Sequence, residues 1–313
     1  MASRCLLPLL LVTALLSACG GGDNNPASTV VTATPPASLT QLPGAPASTG
    51  ATATDGYNWF NYRRAMVGLP LLARNAQLDT VAQGHASYLR LNNTVSHDQT
   101  PGAPGYTGAQ LADRLAAAGY ALVKPYAYGE VISATSNTSG FYQADELVAA
   151  IYHRFVIFEP VFKEAGAGAA TASGGYTYFT CDLAASNGYG PGIGSGTLVN
   201  YPVAGQTMVP TSFLSDNETP DPVPGQNQVG YPISVHANIT GTLTVQSFTV
   251  RAHAGGANLA VRQLSHDVDS ETPLSAAAII PLAVLAAATT YDVAFSGQVD
   301  GVAVTRNWSF TTQ

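Results

Sequence analysis

Residues 145–160 read DELVAAIYHRFVIFEP. Aliphatic and aromatic residues dominate the run, and His153 and Arg154 interrupt it, with Glu146 upstream. The spacing predicts an amphipathic helix over 145–158, closed by Pro160. Seven residues separate Glu146 from His153, two helical turns, so both project the same way if the helix runs unbroken. An imidazole and a guanidinium in such a run have two readings. They are satisfied core groups at the edge of an element, or they face a cleft.

Working outward, YNWFNYRRAMVGLPLL places Tyr57, Phe60, Asn61 and Arg64 on helical spacing and stops at Gly68 and Pro70. NAQLDTVAQGHASYLRLNN puts Leu78, Val81, Ala82, His85 and Leu89 on one helical face, which makes His85 a packed residue. GAQLADRLAAAGY (108–120) is a third helix ended by Gly119. YGEVISAT and GGYTYFTCDLAA read as strands. Helices and strands are interspersed, which is the pattern of an α+β unit.

The chain has 313 residues, enough for two domains, and only 10% are charged, with 31 Gly and 20 Pro. Short elements joined by many turns follow from that composition. A net charge of −7 without clustered Lys or Arg excludes a nucleic-acid footprint. The opening MASRCLLPLLLVTALLSACGGGD has Arg4 before an apolar stretch too short to span a bilayer. Leu16-Ser17-Ala18-Cys19 resembles the bacterial lipobox. That resemblance implies a signal peptide over 1–18, acylation of Cys19 with palmitate-type chains, and a membrane anchor in the cell envelope. Gly20 in place of Asp after the anchor points to the outer membrane, on its periplasmic face or surface. Cys5 leaves with the signal and Cys19 carries lipid, so Cys181 stands alone and reads as a small buried hydrophobe. LSAAAIIPLAVLAAA (274–288) is too short for a membrane span and is broken by Pro281.

Residues 19–54 lack aromatics and periodicity, the composition of a disordered tether. Gly and Pro in 188–197 mark a linker and point to freedom between domains. Residues 198–313 are β-like. TLTVQSFTV alternates, Asp300-Gly301 is a hairpin turn, and Leu285 with Tyr291 resembles the tyrosine corner of Ig-like sandwiches.

Residues 55–187 resemble the CAP superfamily in its bacterial SCP-like form, the cysteine-rich secretory, antigen 5 and pathogenesis-related proteins. NYRRAMVGLPLL, LDTVAQGHASYL, SHDQTPGAPGYTG, ADRLAAAGY, YGEVI and YHRFVIFEPVFKEAGAG match its motifs in the family's order. The resemblance implies a CAP-type α-β-α sandwich, here followed by an all-β Ig-like sandwich. It also implies a cleft holding two histidines and two acids. His97, Glu130 and His153 match three of these, and Glu146 is assigned as the second acid from its spacing. The chain departs from the family pattern at Val131, which replaces the Asn of "G-E-N", and in lacking the Trp and Ser-Pro before the second histidine.

Three functions fit such a cleft. His97 and His153 could hold Zn²⁺ with the carboxylates orienting them. A metal-dependent hydrolase would use Glu130 as base, although HExxH and G-x-S-x-G patterns are absent. A binding or interaction module would take a lipid, sterol or cell-wall ligand, as the resemblance implies, and the anchor, tether and appended β domain suit it. Elsewhere, Arg114 is expected to bridge or cap within its domain, and Arg154 to bond a carboxylate or an anion. His236, His253 and His266 lack metal-ligand spacing and read as surface or loop residues.

Overall fold

The computed structural model describes residues 42–313. The expected signal peptide, the lipobox-like stretch at Cys19 and the expected tether as far as residue 41 lie outside the described residues. The remainder of the expected tether is docked. Leu42 and Ala45 pack on the core, and the Tyr62 hydroxyl donates to Pro43 O at 2.8 Å. The Ser48 hydroxyl and the Thr49 amide donate to Asp55 at 2.6 and 2.7 Å. Helix α1 (Thr52–Val67) therefore begins inside the stretch that composition marks as disordered.

The first unit continues with β1 (Ala73–Arg74), α2 (Ala76–Asn92), α3 (Leu111–Ala117), β2 (Ala127–Thr135), α4 (Gly140–Ala149), α5 (Ile151–Ile157), β3 (Glu164–Thr171) and β4 (Thr177–Ala185). Asn75 caps α2 by accepting from the Gln77 and Leu78 amides. Gly68 ends α1 in the left-handed region, with φ 81°. The sheet order is β1-β3-β4-β2. Strand alternation sorts its two faces. Val131, Ala165, Ala167, Phe179, Cys181 and Leu183 join Trp59, Phe60 and Phe141 in the core under α1 and α4. The opposite face carries Glu130, Asp182 and two glycines toward α2 and α3. A Cβ on Gly166 or Gly168 would collide with the α2 backbone at Leu78–Asp79 and Ala82–Gln83, so the Gly-x-Gly spacing lets helix and strand touch.

The helix expected over 145–158 is two helices. Ala150 between them is extended, with φ −67° and ψ 119°. No Pro or Gly makes the break; competing partners do. The amides of Ile151, Tyr152 and His153 donate to the Glu218 carboxylate at 2.8, 2.7 and 3.2 Å. Arg154 takes the carbonyls of Val148 and Ala149 at 2.6 and 3.3 Å. These groups would otherwise close the turn of a continuous helix. Glu146 and His153 consequently lose the shared face that unbroken helical spacing assigns them.

The second unit contains β5 (Val199–Tyr201), β6 (Ser212–Leu214), β7 (Gln228–Gly230), β8 (Ile233–His236), β9 (Leu243–Ala252), β10 (Val261–Ser265), β11 (Ala276–Pro281), β12 (Thr290–Val299) and β13 (Val302–Thr311). One sheet has the order β10-β11-β8-β5 and another β13-β12-β9, with β6-β7 as a separate ribbon. Asp300 and Gly301, with φ of 53° and 80°, form the predicted hairpin turn between β12 and β13. The Tyr291 hydroxyl accepts from the Ala286 amide at 2.8 Å, the contact expected of a tyrosine corner.

The two units share one core. Ile233, Val235, Ala277 and Ile279 on one face of the β8–β11 sheet pack with Phe248, Val293 and Phe295 of the other sheet. On its opposite face, Ala276, Ala278, Ile280 and Leu264 cluster with Ile151, Tyr152 and Phe155 of α5. That sheet is covered on both sides, which explains why every residue of β11 is buried and why its sequence runs apolar without alternation. The linker is fastened as well. Asn238 exchanges two hydrogen bonds with the Ile193 backbone, each at 2.8 Å, and Gly190 N donates to Val161 O at 2.8 Å. The freedom that its Gly and Pro suggest is not present.

Candidate functional site

Glu130 lies on β2, the outer strand of the first sheet, and points toward α2 and α3. Its carboxylate accepts from Arg114 Nη2 at 2.9 Å on each oxygen and from His97 Nδ1 at 2.8 Å. His85 Nε2 lies 3.7 Å from the same Oε1. Burial works to raise the Glu130 carboxyl, but His85, Arg114 and His97 together outweigh it and hold it well below the usual carboxylate range. Arg114 also donates through Nη1 to His97 O at 2.8 Å, so one guanidinium fixes both the carboxylate and the loop that bears the histidine.

His85 positions that loop. Gln99 Nε2 donates to its Nδ1 at 2.8 Å, leaving the proton on Nε2, which faces Ser96 O at 2.9 Å. Burial lowers its pKa, so the ring is neutral. Gln99 Oε1 in turn accepts from the Thr107 amide at 2.7 Å. Beside Glu130, its register partner Asp182 is buried, and neither of its oxygens has a hydrogen-bond partner among the described residues. Burial and the Glu130 charge push the Asp182 carboxyl well above its ordinary value, which makes it a neutral acid.

His97 lines a cavity of about 180 Å³ at the edge of β2, and its other ring nitrogen, Nε2, is buried. Nε2 has no partner among the described residues. Leu111 and Tyr128 form one wall, Tyr152, Phe155 and Val156 another, and Ile239, Glu271 and Pro273 from the β region close it. Residues 152, 155 and 156 form the stripe of α5 that faces the cavity, and Glu159 extends it. Glu159, just past the end of α5, accepts on Oε1 from the Val161 and Ile239 amides at 3.1 and 3.0 Å. Burial pushes its carboxyl up to about 7, against those two bonds and Arg64.

His153 is not part of this wall. Its ring is rotated out of the stripe and buried against the β region, with Nδ1 3.0 Å from Glu218 Oε1. Glu146 is exposed on α4 and does not line the cavity. Its neighbour Asp145 is the engaged acid, accepting from Arg63 Nη2 at 2.6 Å and Trp59 Nε1 at 2.8 Å. The four-residue cleft is thus corrected to His97 and Glu130, supported by Arg114 and His85. Zinc does not fit. His97 offers the cavity one nitrogen, His153 is held elsewhere by Glu218, and no group of three His, Cys, Asp or Glu among the described residues is placed to hold a metal. Glu130 does not fit the role of base either, because both oxygens are bonded to Arg114.

The remaining assignments sort similarly. Arg114 bridges within its domain as expected. Arg154 bonds carbonyls rather than a carboxylate, reaches Pro232 O at 2.7 Å, and lies against the rings of Tyr201 and Tyr231 at 4.9 and 5.1 Å. Cys181 is buried and free. His253 and His266 are exposed, but His236 is buried between Phe155 and Phe158, with ring centroids at 5.7 and 5.5 Å. Burial lowers its pKa to about 3, so it is neutral in the interface.

The architecture is that of a three-layer α/β/α domain with a carboxylate-held histidine at the sheet edge, joined to a β-rich region. Residues 57–183 match the model of the CAP (cysteine-rich secretory protein) family, and this segment is a CAP domain. Among solved structures, the chain is similar to an extracellular protein containing an SCP domain from Bacillus anthracis strain Ames. That match has 26% identity over 42% of this chain and 39% of the other, with a TM-score of 0.36. An outer surface protein from Borrelia burgdorferi matches at 14% identity over 42% and 90% of the two chains, with a TM-score of 0.35. A cysteine-rich secretory protein from Staphylococcus aureus Mu50 matches at 16% identity over 42% and 38%, with a TM-score of 0.31. The chain thus spans 39% of the length of the first of these relatives. No curated protein matches it.

Proposed function

We propose that this chain is a CAP-domain protein of the bacterial cell envelope, exported, lipid-anchored at Cys19, and binding a small molecule between its CAP domain and an Ig-like module. The observation that carries the reading is the His97 imidazole. Its Nδ1 is held at 2.8 Å by a buried carboxylate, its residue lines an otherwise largely apolar cavity, and its buried Nε2 has no partner among the described residues. Holding one ring nitrogen this way fixes the tautomer and leaves the other as an unused acceptor beside the cavity. The cavity exceeds the ~150 Å³ that accommodates benzene, so a ring-sized group fits.

A fragment screen by ligand-observed NMR on the full chain tests this. Hits are expected that His97→Ala weakens about tenfold or more, while the variant loses about 1.5–3 kcal/mol of stability, one hydrogen bond to a charged group. Glu130 keeps Arg114, so the fold survives. Hits that bind the variant equally well, or no hits at all, would remove the reading.

Export and anchoring rest on the sequence of residues 1–19. Among the described residues no helix is long and apolar enough to cross a membrane. Cys19→Ser is expected to move the protein from the membrane to the soluble envelope fraction in a bacterial host, read by immunoblot. Retention in the membrane would show that Cys19 is not the anchor.

A further inference from the structure

We infer that the cavity beside His97 takes an organic cation: a ring-sized apolar body carrying one ammonium group, seated against Glu159. This deepens the small-molecule reading and depends on it.

The charges around the cavity have one sign. Asp98, Glu130, Glu159 and Glu271 line it, and no Lys or Arg does. Glu130 is already matched by Arg114, whereas Glu159 is not matched in the same way. It is 6% exposed, its Oε1 is occupied by two main-chain amides, and its Oε2 accepts no hydrogen bond among the described residues. A mostly buried acid at a cavity wall, with one oxygen that takes no protein hydrogen bond, is open to a partner from the cavity. The nearest guanidinium, Arg64, does not supply one. It lies outside the cavity lining and donates instead to the carbonyls of Ile157 and Glu159, at 2.7 and 2.9 Å, and of Pro70, at 2.9 Å.

The rest of the wall suits the same guest. Tyr128, Tyr152 and Phe155 present aromatic surface, which favours cations over neutral or anionic groups of equal size. Asp98 and Glu271 are more accessible than Glu159 and add negative potential at the rim. Burial holds the Glu159 carboxyl near 7, and an ammonium alongside would keep it ionised. An anionic guest would meet the acidic groups of Asp98, Glu130, Glu159 and Glu271 at this wall.

Three isosteres that differ in head-group charge test this on the full chain by titration calorimetry: phenethylamine, 2-phenylethanol and phenylacetate. Phenethylamine is expected to bind at least about tenfold more tightly than either of the others. Glu159→Gln keeps an oxygen for the Val161 and Ile239 amides and is expected to abolish that preference, weakening phenethylamine far more than 2-phenylethanol. Glu271→Gln should reduce the preference by a smaller factor. If 2-phenylethanol binds the wild-type chain as tightly as the amine, the cation assignment falls and the cavity remains a ligand site. If phenylacetate binds most tightly, the assignment falls in favour of an anion at His97. If none of the three binds the folded chain, both this inference and the small-molecule reading fall.

Discussion

Arg114→Met is expected to lower the unfolding free energy by about 3–5 kcal/mol at pH 7, the range for removing one partner of a buried ion pair. Both groups are out of solvent, with side-chain exposures of 0% for Arg114 and 2% for Glu130. Methionine fills most of the volume but leaves a carboxylate buried with two histidines as its remaining partners. The dependence on pH separates charge from packing. In the wild type the Glu130 pKa is depressed, so its contribution to stability is present above the unfolded value of about 4.3 and is lost as pH falls through the folded value. Without the guanidinium, burial dominates and the folded pKa rises above the unfolded one. The sign then reverses, and the variant gains stability relative to the unfolded chain as pH falls. The deficit against wild type should therefore narrow between pH 7 and pH 4 in denaturant unfolding. An equal deficit at both pH values would mean that shape, and not charge, is what Arg114 contributes.

The same network shows what could be read from the chain in advance. His97 and Glu130 are legible because each lies in a short motif that resembles a known family at matching positions. Arg114 is legible as a residue that bridges or caps within its domain, but nothing local ties it to Glu130, 16 residues away. His85 is legible as packed, and its role in holding the 96–107 loop depends on Gln99, which carries no motif. The helix over 145–158 fails for a different reason. Its composition favours one helix throughout, and the break at Ala150 is imposed from the second domain by a residue 67 positions downstream of Ile151. Local propensity cannot report a competitor that arrives by tertiary contact.

Domain packing did leave a trace. AAAIIP in β11 runs apolar at consecutive positions where a half-exposed strand would alternate. In the structure all four residues of the neighbouring β8 are buried too, the sheet is covered on both faces, and the second cover is α5. The Gly and Pro of 188–197 pointed the other way, toward a free linker, because composition reports the absence of regular structure and is silent on hydrogen bonds such as those to Asn238. His236 was misread for the same reason. A histidine near a strand end resembles a surface residue until a neighbouring domain covers it.

Glu218→Ala is expected to cost about 3–5 kcal/mol and to uncouple the two domains. The carboxylate caps α5 from the other domain, accepting the amides of Ile151, Tyr152 and His153 together with the His153 ring. Each buried donor left without a partner costs about 1–3 kcal/mol, and the costs here overlap because water or a rearranged turn can recover some of them. Glu218→Gln makes a sharper control, since its amide group turns a donor toward one of those N–H groups and should recover only part of the loss. The chain provides its own reporters: it has two tryptophans, Trp59 buried in the CAP domain and Trp308 buried in the β region. In Trp59→Phe and Trp308→Phe backgrounds, fluorescence follows one domain at a time. With Glu218 present, the shared core should make both probes report a single denaturant midpoint. Without it, α5 loses its cap at the interface and the midpoints should separate. Coincident midpoints and a loss under about 1 kcal/mol would mean that apolar contact across α5 joins the domains unaided, and that the histidine in DELVAAIYHRFVIFEP is a passenger in that contact.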